Sequence, residues 1–279
     1  MHERAGRVEA CLGTIFTQAV PSGRPVEQAY AYELGNTLAA WKCGMRQLKL
    51  YQAWARAGVI ELMPRRGQPV AAAVGEVQPR EAGAPDPIRL GILMECADPI
   101  ESPDEVRPWV DGGLVAVGLA WWHATRYAGG NGSKNEGLTD LGRPMIDALD
   151  SAGVVHDVTH LSQRSLDELL AHTKAAVIAS HSNCRALLPG DDHRHIPDEA
   201  IREIARRGGM IGVNLVRNFL SPALAAAGEK PVAGEATVSQ VCDHIEHICA
   251  VAGDRSHVGL GSDMDGGITA DDLPSGIRT

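Results

Sequence analysis

Two apolar segments that each end in a histidine most constrain the fold of this chain. Val154–His160 (VVHDVTH) and Ala176–His181 (AVIASH) are rich in β-branched residues, and Leu161–Lys174 between them has a helical pattern. A strand–helix–strand unit of this kind predicts two parallel strands, with His160 and His181 side by side at their C-terminal edge. A buried histidine pair at the mouth of an α/β barrel indicates a metal site.

The same alternation of strand and helix runs along the whole chain. The predicted strands are Arg7–Phe16, Ile88–Glu95, Gly113–Trp122, Val154–His160, Ala175–His181, Met210–Val216 and His257–Asp263. The predicted helices are Pro25–Ala57, Pro103–Val110, Thr139–Ala152, Ser162–Thr173, Pro197–Arg207 and Thr237–Val251, with helix stops at Gly153 and Gly208. The predicted loops are Gln68–Asp86, Ala128–Gly137 and Ser221–Gly234. Alternation of this kind predicts an α/β fold with a parallel sheet, and 279 residues suit a single domain over residues 1–279.

Composition excludes several classes of protein. The net charge is −9 with scattered signs and no basic stripe, which argues against a nucleic-acid or acidic-membrane partner. No segment approaches the ~20 apolar residues of a membrane span. The six cysteines form no CxxC pair, so we interpret them as reduced, buried thiols of a cytoplasmic protein.

Residues that can ligate metal, transfer a proton or bind an anion stand at the ends of six of the seven predicted strands. They are Glu95, His123, His160, His181, Asn214 with Arg217, and Asp263. Enzymes of the α/β-barrel type carry their chemistry at this edge, so the pattern favours a functional site over coincidence.

Five motifs follow one another in an order that resembles a known family. They are GLTDLGRPMIDALDSAGVVHDVTHLS, VIASHSNCRAL, RHIPDEAI, GGMIGVNLV and HVGLGSDMDGG. Together they resemble the membrane (renal) dipeptidase family of zinc metallopeptidases, from about Ile88 to Gly267. The resemblance implies a (β/α)8 TIM barrel of the metal-dependent hydrolase kind, with two zinc ions. It also implies hydrolysis of the peptide bond of dipeptides by a metal-bound hydroxide.

The resemblance implies roles for six residues. Glu95 matches the carboxylate that bridges both metals, and His160 and His181 match the histidines of the second zinc. His123 matches the histidine that helps to hold the reacting carbonyl. Arg194 matches the arginine that binds the substrate carboxylate, and Asp263 matches the acid/base aspartate.

Other interpretations of four of these residues stay open. Glu95 could be a solvated strand end. His123 follows two tryptophans and could be a core or loop histidine. Arg194 lies in a charged stretch that could be surface. Asp265 could replace Asp263 as the functional aspartate.

Two further histidine spacings are interpreted as structural. His156 and His160 have the i, i+4 spacing of a helical zinc site, but strand residues four apart are separated by about 13 Å. His244 and His247 are predicted on an exposed face of the helix Thr237–Val251. The buried stripe of that helix is predicted to consist of Val241, Ile245 and Ile248.

The chain departs from the family at both ends. Family members open with an HxD motif that holds the first zinc, whereas the early candidate here is His2-Glu3-Arg4, and arginine is no metal ligand. We therefore expect the first strand and last helix to be missing and the open sheet edges to favour a homodimer. The zinc content is expected to be either the two ions of the family or one. Three functions follow: a zinc dipeptidase, a single-metal amidohydrolase or esterase, and a catalytically impaired family fragment or binding scaffold.

Overall fold

The computed structural model describes residue 8 and residues 10–63, 86–227, 236–264 and 266–277. The contacts divide the chain into two compact units, which are described separately. The first comprises Met1–His156 and Leu161–Thr173, and the second comprises Asp157–His160 and Lys174–Thr279. The single domain over residues 1–279 stays a prediction. In the described ranges, no helix has both the length and the apolar character needed to cross a membrane.

Strands and helices alternate through most of the described residues. The strands are β1 (Ala10–Ile15), β2 (Gln18–Val20), β3 (Ala31–Glu33), β4 (Ile60–Leu62), β5 (Ile88–Met94), β6 (Leu114–Gly118), β7 (Val155–Asp157), β8 (Val177–Ile178), β9 (Ile211–Val213) and β10 (Val258–Leu260). The helices are α1 (Thr37–Arg56), α2 (Val106–Asp111), α3 (Gly142–Ser151), α4 (Gln163–His172), α5 (Asp198–Arg206), α6 (Pro222–Ala227) and α7 (Val238–Ala252).

The sheet of the first unit is built around β5. This strand pairs in parallel with β1, β4 and β6, and the path continues from β6 to β7. Residues 90–94 of β5 are all buried, as expected for a central strand covered on both faces. Glu95 follows this strand directly, so the sheet holds its backbone at the C-terminal edge.

The second unit contains parallel strands in chain order. The Val158 N–H donates to the Ile178 carbonyl at 2.9 Å, so the segment after β7 continues beside β8. Ala179 forms a parallel bridge with Ile211, and β9 pairs in parallel with β10. The predicted parallel α/β class is confirmed by this pairing.

The strands are shorter than the sequence predicts. The strand β8 ends three residues before His181, and β10 ends three residues before Asp263. The predicted site residues therefore lie on the segments that leave the strands. Residues there are free to adopt backbone conformations that a strand does not allow.

The predicted helix Pro25–Ala57 is wrong over its first third. Its N-terminal residues include β3, which pairs with β2, so tertiary pairing overrides local helix propensity. The helix α1 begins only after Asn36, whose side chain accepts a hydrogen bond from the Ala39 N–H at 3.0 Å. Gly35 precedes this cap with a φ of +85°, a conformation that suits glycine.

Two further corrections concern short elements. The strand β4 was not predicted. The predicted loop Ser221–Gly234 contains α6, an alanine-rich turn that begins with proline, which is favoured at the first helical position. The predicted helix stops are confirmed, because Gly153 and Gly208 adopt φ values of +68° and +73°. Residues 68–85 of the predicted loop Gln68–Asp86 lie outside the described residues.

Candidate functional site

The centre of the candidate site is a pair of imidazoles in the second unit. The Nε2 atoms of His160 and His181 lie 3.0 Å apart, and both residues are 7% exposed. Two nitrogens bound to one tetrahedral zinc at about 2.0–2.1 Å would lie roughly 3.3 Å apart, so this pair fits a shared metal ion. The two rings lie side by side, as the strand–helix–strand pattern predicts, and their role as ligands stays a prediction.

Polar groups around the His181 ring determine its orientation. Its Nδ1 atom lies 2.8 Å from the Ser180 hydroxyl, which in turn donates to Asp157 at 2.6 Å. The His181 backbone N–H donates to the Thr159 hydroxyl at 3.3 Å. Neither Asp157 nor Ser180 is among the site residues predicted from the sequence, although both are polar and lie close to a predicted ligand in the chain.

Two predicted site residues have left-handed backbone conformations. His160 has a φ of +69° and Asp263 a φ of +61°, in a region that residues other than glycine seldom occupy. Strained backbone of this kind is concentrated at functional sites, where the surrounding structure holds it in place. The conformation is a property of the folded chain that residue type alone does not reveal.

Arg194 is buried rather than solvated, with 5% exposure. Its Nη1 donates to the His181 carbonyl at 2.8 Å, and the guanidinium carbon lies 5.0 Å from the centre of the Phe219 ring. Its Nη2 lies 4.0 Å from the Asp263 Oδ2 atom. The structure therefore brings three predicted site residues of the second unit together: the arginine, one histidine and the aspartate.

An asparagine pair positions the Asp263 carboxylate. The Asn214 amide donates to Asp263 at 3.0 Å, and its own oxygen accepts from the Val216 N–H at 2.7 Å. Asn183 is fully buried, accepts from the Asn214 N–H at 2.8 Å and donates to the Phe219 carbonyl at 2.6 Å. Asn214 is one of the predicted strand-end residues, whereas Asn183 was not predicted. The one signal for Asn183 in the sequence is its place two residues after His181.

The predicted exposed face at His244 is wrong. His244 is 1% exposed, and its Nδ1 accepts from the Cys184 N–H at 3.1 Å. The buried face of α7 runs through Val241, His244 and Ile248, so it is rotated from the predicted stripe. His247 is half-buried and lies 2.8 Å from Asp198.

His195, which follows Arg194 in the chain, is also buried away from water. Burial, together with the charge of Arg194, lowers the pKa of His195 to about 3, so the ring is neutral near pH 7. It packs edge-on against Phe219 at 5.4 Å. A neutral ring at this position adds no positive charge beside Arg194.

Glu95 and His123 belong to the first unit. Glu95 is half-buried, and its backbone N–H donates to the Ile15 carbonyl at 3.1 Å. His123 is exposed on the loop after β6, which passes close to Gly130. A Cβ at Gly130 would lie 2.2 Å from the Trp121 carbonyl oxygen, so this loop requires glycine there. The proposed roles of Glu95 and His123 stay predictions.

His156 serves as a structural residue of the first unit. It lies in β7, which agrees with the strand interpretation of the HDVTH stretch. It is fully buried, and its Nε2 lies 2.6 Å from an Asp150 oxygen, while Thr173 donates to the other oxygen at 2.7 Å. This hydrogen bond to Asp150 explains a histidine where an apolar residue would be usual. His2-Glu3-Arg4 and Asp265 lie outside the described residues.

Comparisons with known proteins give one consistent family. A family model described as membrane dipeptidase (peptidase family M19) matches residues 39–276. An uncharacterized dipeptidase of Schizosaccharomyces pombe is 36% identical over 135 residues, which are 48% of this chain and 30% of that protein. The match thus spans less than a third of this curated relative.

Two solved structures are similar over nearly the whole chain. The crystal structure of dipeptidase AC, a metallopeptidase of family M19, has a TM-score of 0.73 and 22% identity, covering 99% of this chain and 77% of that one. A metallopeptidase from Rhodobacter sphaeroides, liganded with a phosphinate mimic of the dipeptide L-Ala-D-Ala, has a TM-score of 0.71 and 23% identity. The similarity covers 98% of this chain and 77% of the Rhodobacter sphaeroides chain. These similarities show the predicted TIM-barrel type of α/β fold.

The family match extends from α1 to the last described residues and includes all five motifs that follow one another in the sequence. The structural neighbours are peptidases of the same kind. The chain belongs to the membrane dipeptidase family, peptidase family M19.

Proposed function

We propose that this chain is a metal-dependent dipeptidase that hydrolyses dipeptides with a free C-terminal carboxylate. The observation that carries the proposal is the histidine pair with Nε2 atoms 3.0 Å apart, joined through the His181 carbonyl to the buried Arg194. A pair of imidazoles suits a metal, and a buried guanidinium suits a carboxylate. Both features belong to the second unit.

Glu95, His160 and His181 are the proposed metal ligands. Each of them offers a donor atom that suits a metal ion, a carboxylate oxygen from Glu95 and a ring nitrogen from each histidine. We propose zinc, because imidazole nitrogen and carboxylate oxygen are donors that zinc accepts. Bound there, a metal would supply Lewis-acid chemistry, which polarises a peptide carbonyl and lowers the pKa of water.

Arg194 and Asp263 are the proposed substrate and acid/base residues. A guanidinium presents two parallel N–H donors to a carboxylate, which selects a substrate with a free C-terminus. Asp263 would accept a proton and return it to the leaving amine, while Asn214 holds one carboxylate oxygen at 3.0 Å. His123 would hold the reacting carbonyl. The phosphinate dipeptide mimic bound by the Rhodobacter sphaeroides relative supports this substrate class.

We also propose a reducing compartment, the cytoplasm, for this chain. Cys43, Cys96 and Cys184 are buried free thiols, whereas Cys242 is exposed, so the predicted burial is wrong for that cysteine. Burial raises the pKa of Cys184 to about 12, which keeps it protonated and unreactive. The homodimer predicted from open sheet edges stays a prediction.

Metal content and substrate choice test the function together. The purified chain is loaded with zinc, dialysed, and measured by elemental mass spectrometry, beside His160→Ala and His181→Ala. We expect one or two zinc ions per chain, lost in both variants, and faster hydrolysis of L-Ala-D-Ala than of its C-terminal amide. His172→Ala is the matched control, since His172 is paired with Asp147 at 2.8 Å on the first unit. A chain that retains no zinc would refute the proposal.

A further inference from the structure

We propose that Asp157 and Ser180 form a hydrogen-bond relay that fixes the tautomer of His181 and thereby prepares its Nε2 atom for a metal. The inference rests on the proposed metal site and deepens it. Asp157 and Ser180 are positioning residues, because they act on the metal only through the His181 ring. All the residues involved belong to the second unit.

Asp157 is a buried carboxylate held by three donors. It is 1% exposed, and its Oδ1 atom accepts from the Ser180 N–H at 2.9 Å and from the Thr159 N–H at 3.1 Å. Its Oδ2 atom accepts from the Ser180 hydroxyl at 2.6 Å. In this last bond the Ser180 hydroxyl is the donor and the carboxylate oxygen is the acceptor.

The direction of that bond determines the next one. A serine hydroxyl has a single proton, and Ser180 gives it to Asp157. The contact of 2.8 Å between Ser180 Oγ and His181 Nδ1 must then be donated by an Nδ1–H group. The Thr159 hydroxyl, 3.3 Å from Ser180 Oγ, is placed to donate to the second lone pair of that oxygen. The relay is therefore satisfied with Nδ1 of His181 protonated.

A neutral imidazole protonated at Nδ1 carries its lone pair on Nε2. That atom of His181 points at the Nε2 atom of His160, 3.0 Å away. Metal-ligating histidines usually donate their other ring N–H to a carboxylate or carbonyl, which fixes the ring and raises its basicity. Here Ser180 lies between the His181 ring and the Asp157 carboxylate. The polarity of the relay, meaning the direction in which its hydrogen bonds are donated, therefore depends on both Ser180 and Asp157.

The variant Asp157→Asn reverses this polarity with almost no change in shape. The amide oxygen can still accept from the two backbone N–H groups, whereas the amide nitrogen then donates to Ser180 Oγ. The hydroxyl proton turns towards His181, and the ring must carry its own proton on Nε2. A purely structural role for Asp157 predicts no such change in the tautomer.

The test measures the tautomer and the metal affinity in the full chain. Histidine nitrogen NMR on the metal-free protein, with the His181 signals assigned through His181→Gln, reports which ring nitrogen carries the proton. We expect Nδ1–H in the unmodified chain and Nε2–H in Asp157→Asn. Zinc affinity, measured by competition with a chromophoric chelator, should fall about 10- to 100-fold in Asp157→Asn and Ser180→Ala.

Two variants complete the test. Ser180→Thr retains the hydroxyl that Ser180→Ala removes. It should therefore keep the Nδ1–H tautomer of His181 and most of the zinc affinity. Ser182→Ala is the matched control, since the Ser182 hydroxyl lies 3.5 Å from Arg194 Nη1 rather than on the His181 ring. An unchanged tautomer in folded Asp157→Asn would overturn the relay. Failure of the unmodified chain to bind zinc, with the tautomers as expected, would instead refute the proposed function.

Discussion

Replacement of Arg194 by alanine tests the part of the proposal that concerns substrate choice. The guanidinium is 5% exposed and donates to the His181 carbonyl at 2.8 Å. Removal of one partner of a buried, hydrogen-bonded charge pair typically costs about 2–5 kcal/mol. At about 1.36 kcal/mol per factor of ten, kcat/KM for a dipeptide should fall by about 30-fold to about 5000-fold.

The assay compares L-Ala-D-Ala with its C-terminal amide, which lacks the carboxylate. The C-terminal amide is hydrolysed more slowly and has no charge for Arg194 to bind. Its kcat/KM should therefore change by less than about 3-fold in Arg194→Ala, which corresponds to less than about 1 kcal/mol. Arg194→Lys retains the charge but not the planar guanidinium group. Its kcat/KM for the dipeptide should lie between that of the unmodified chain and that of Arg194→Ala. Equal losses on both substrates would refute the role of Arg194 in binding the carboxylate.

Stability must be measured for the same variant. The hydrogen bond from Arg194 to the His181 carbonyl involves a charged donor, and such bonds contribute about 1.5–3 kcal/mol. We expect urea unfolding to show a loss of this size in Arg194→Ala. If the chain remains folded at the assay temperature, the difference between the two substrates reports binding and not unfolding.

Three further predictions concern the metal and the scaffold. Zinc at 100 times its Kd should raise the free energy of unfolding by about 2.7 kcal/mol, an increase that His160→Ala abolishes in thermal unfolding. Burial raises the pKa of Asp150, but hydrogen bonds from His156 and Thr173 outweigh it and hold that pKa below its ordinary value. Asp150→Asn should therefore lower stability by about 1–3 kcal/mol at pH 7. That difference is fully present above the ordinary pKa of about 3.9 and is lost as the pH falls through the lower folded value, so equal urea-unfolding differences at pH 7 and pH 2 would contradict it. Gly130→Ala would place a Cβ 2.2 Å from a backbone oxygen, and a loss of about 1–3 kcal/mol in urea unfolding is expected.

Short-range pattern was sufficient for the main features of the fold and the site. β-Branched runs around an amphipathic segment predict β7, α4 and β8, and a right-handed parallel unit necessarily places the residues after its strands at one edge. His160 and His181 follow from that rule. The family motifs then suggested Arg194 and Asp263, and the structure places these two residues 4.0 Å apart.

Contacts between residues far apart in the chain explain the features that the sequence pattern did not predict. The helix α1 begins twelve residues later than predicted because β3 pairs with β2, and this pairing outweighs local propensity. His244 is buried, and its Nδ1 atom accepts a hydrogen bond from the backbone N–H of Cys184, which lies sixty residues away in the chain. Neither fact is visible in a window of neighbouring residues.

The sequence by itself determined which residue types end the strands, and therefore the fold type, the family and the histidine pair. Only the tertiary structure decided how those side chains are held. The Asp157–Ser180 relay joins residues 23 positions apart, and the Asn214–Asp263 contact joins residues 49 positions apart. The physical reason is that periodicity reports which face of a strand or helix is buried. The direction of each hydrogen bond depends instead on the partner that the folded chain brings within reach.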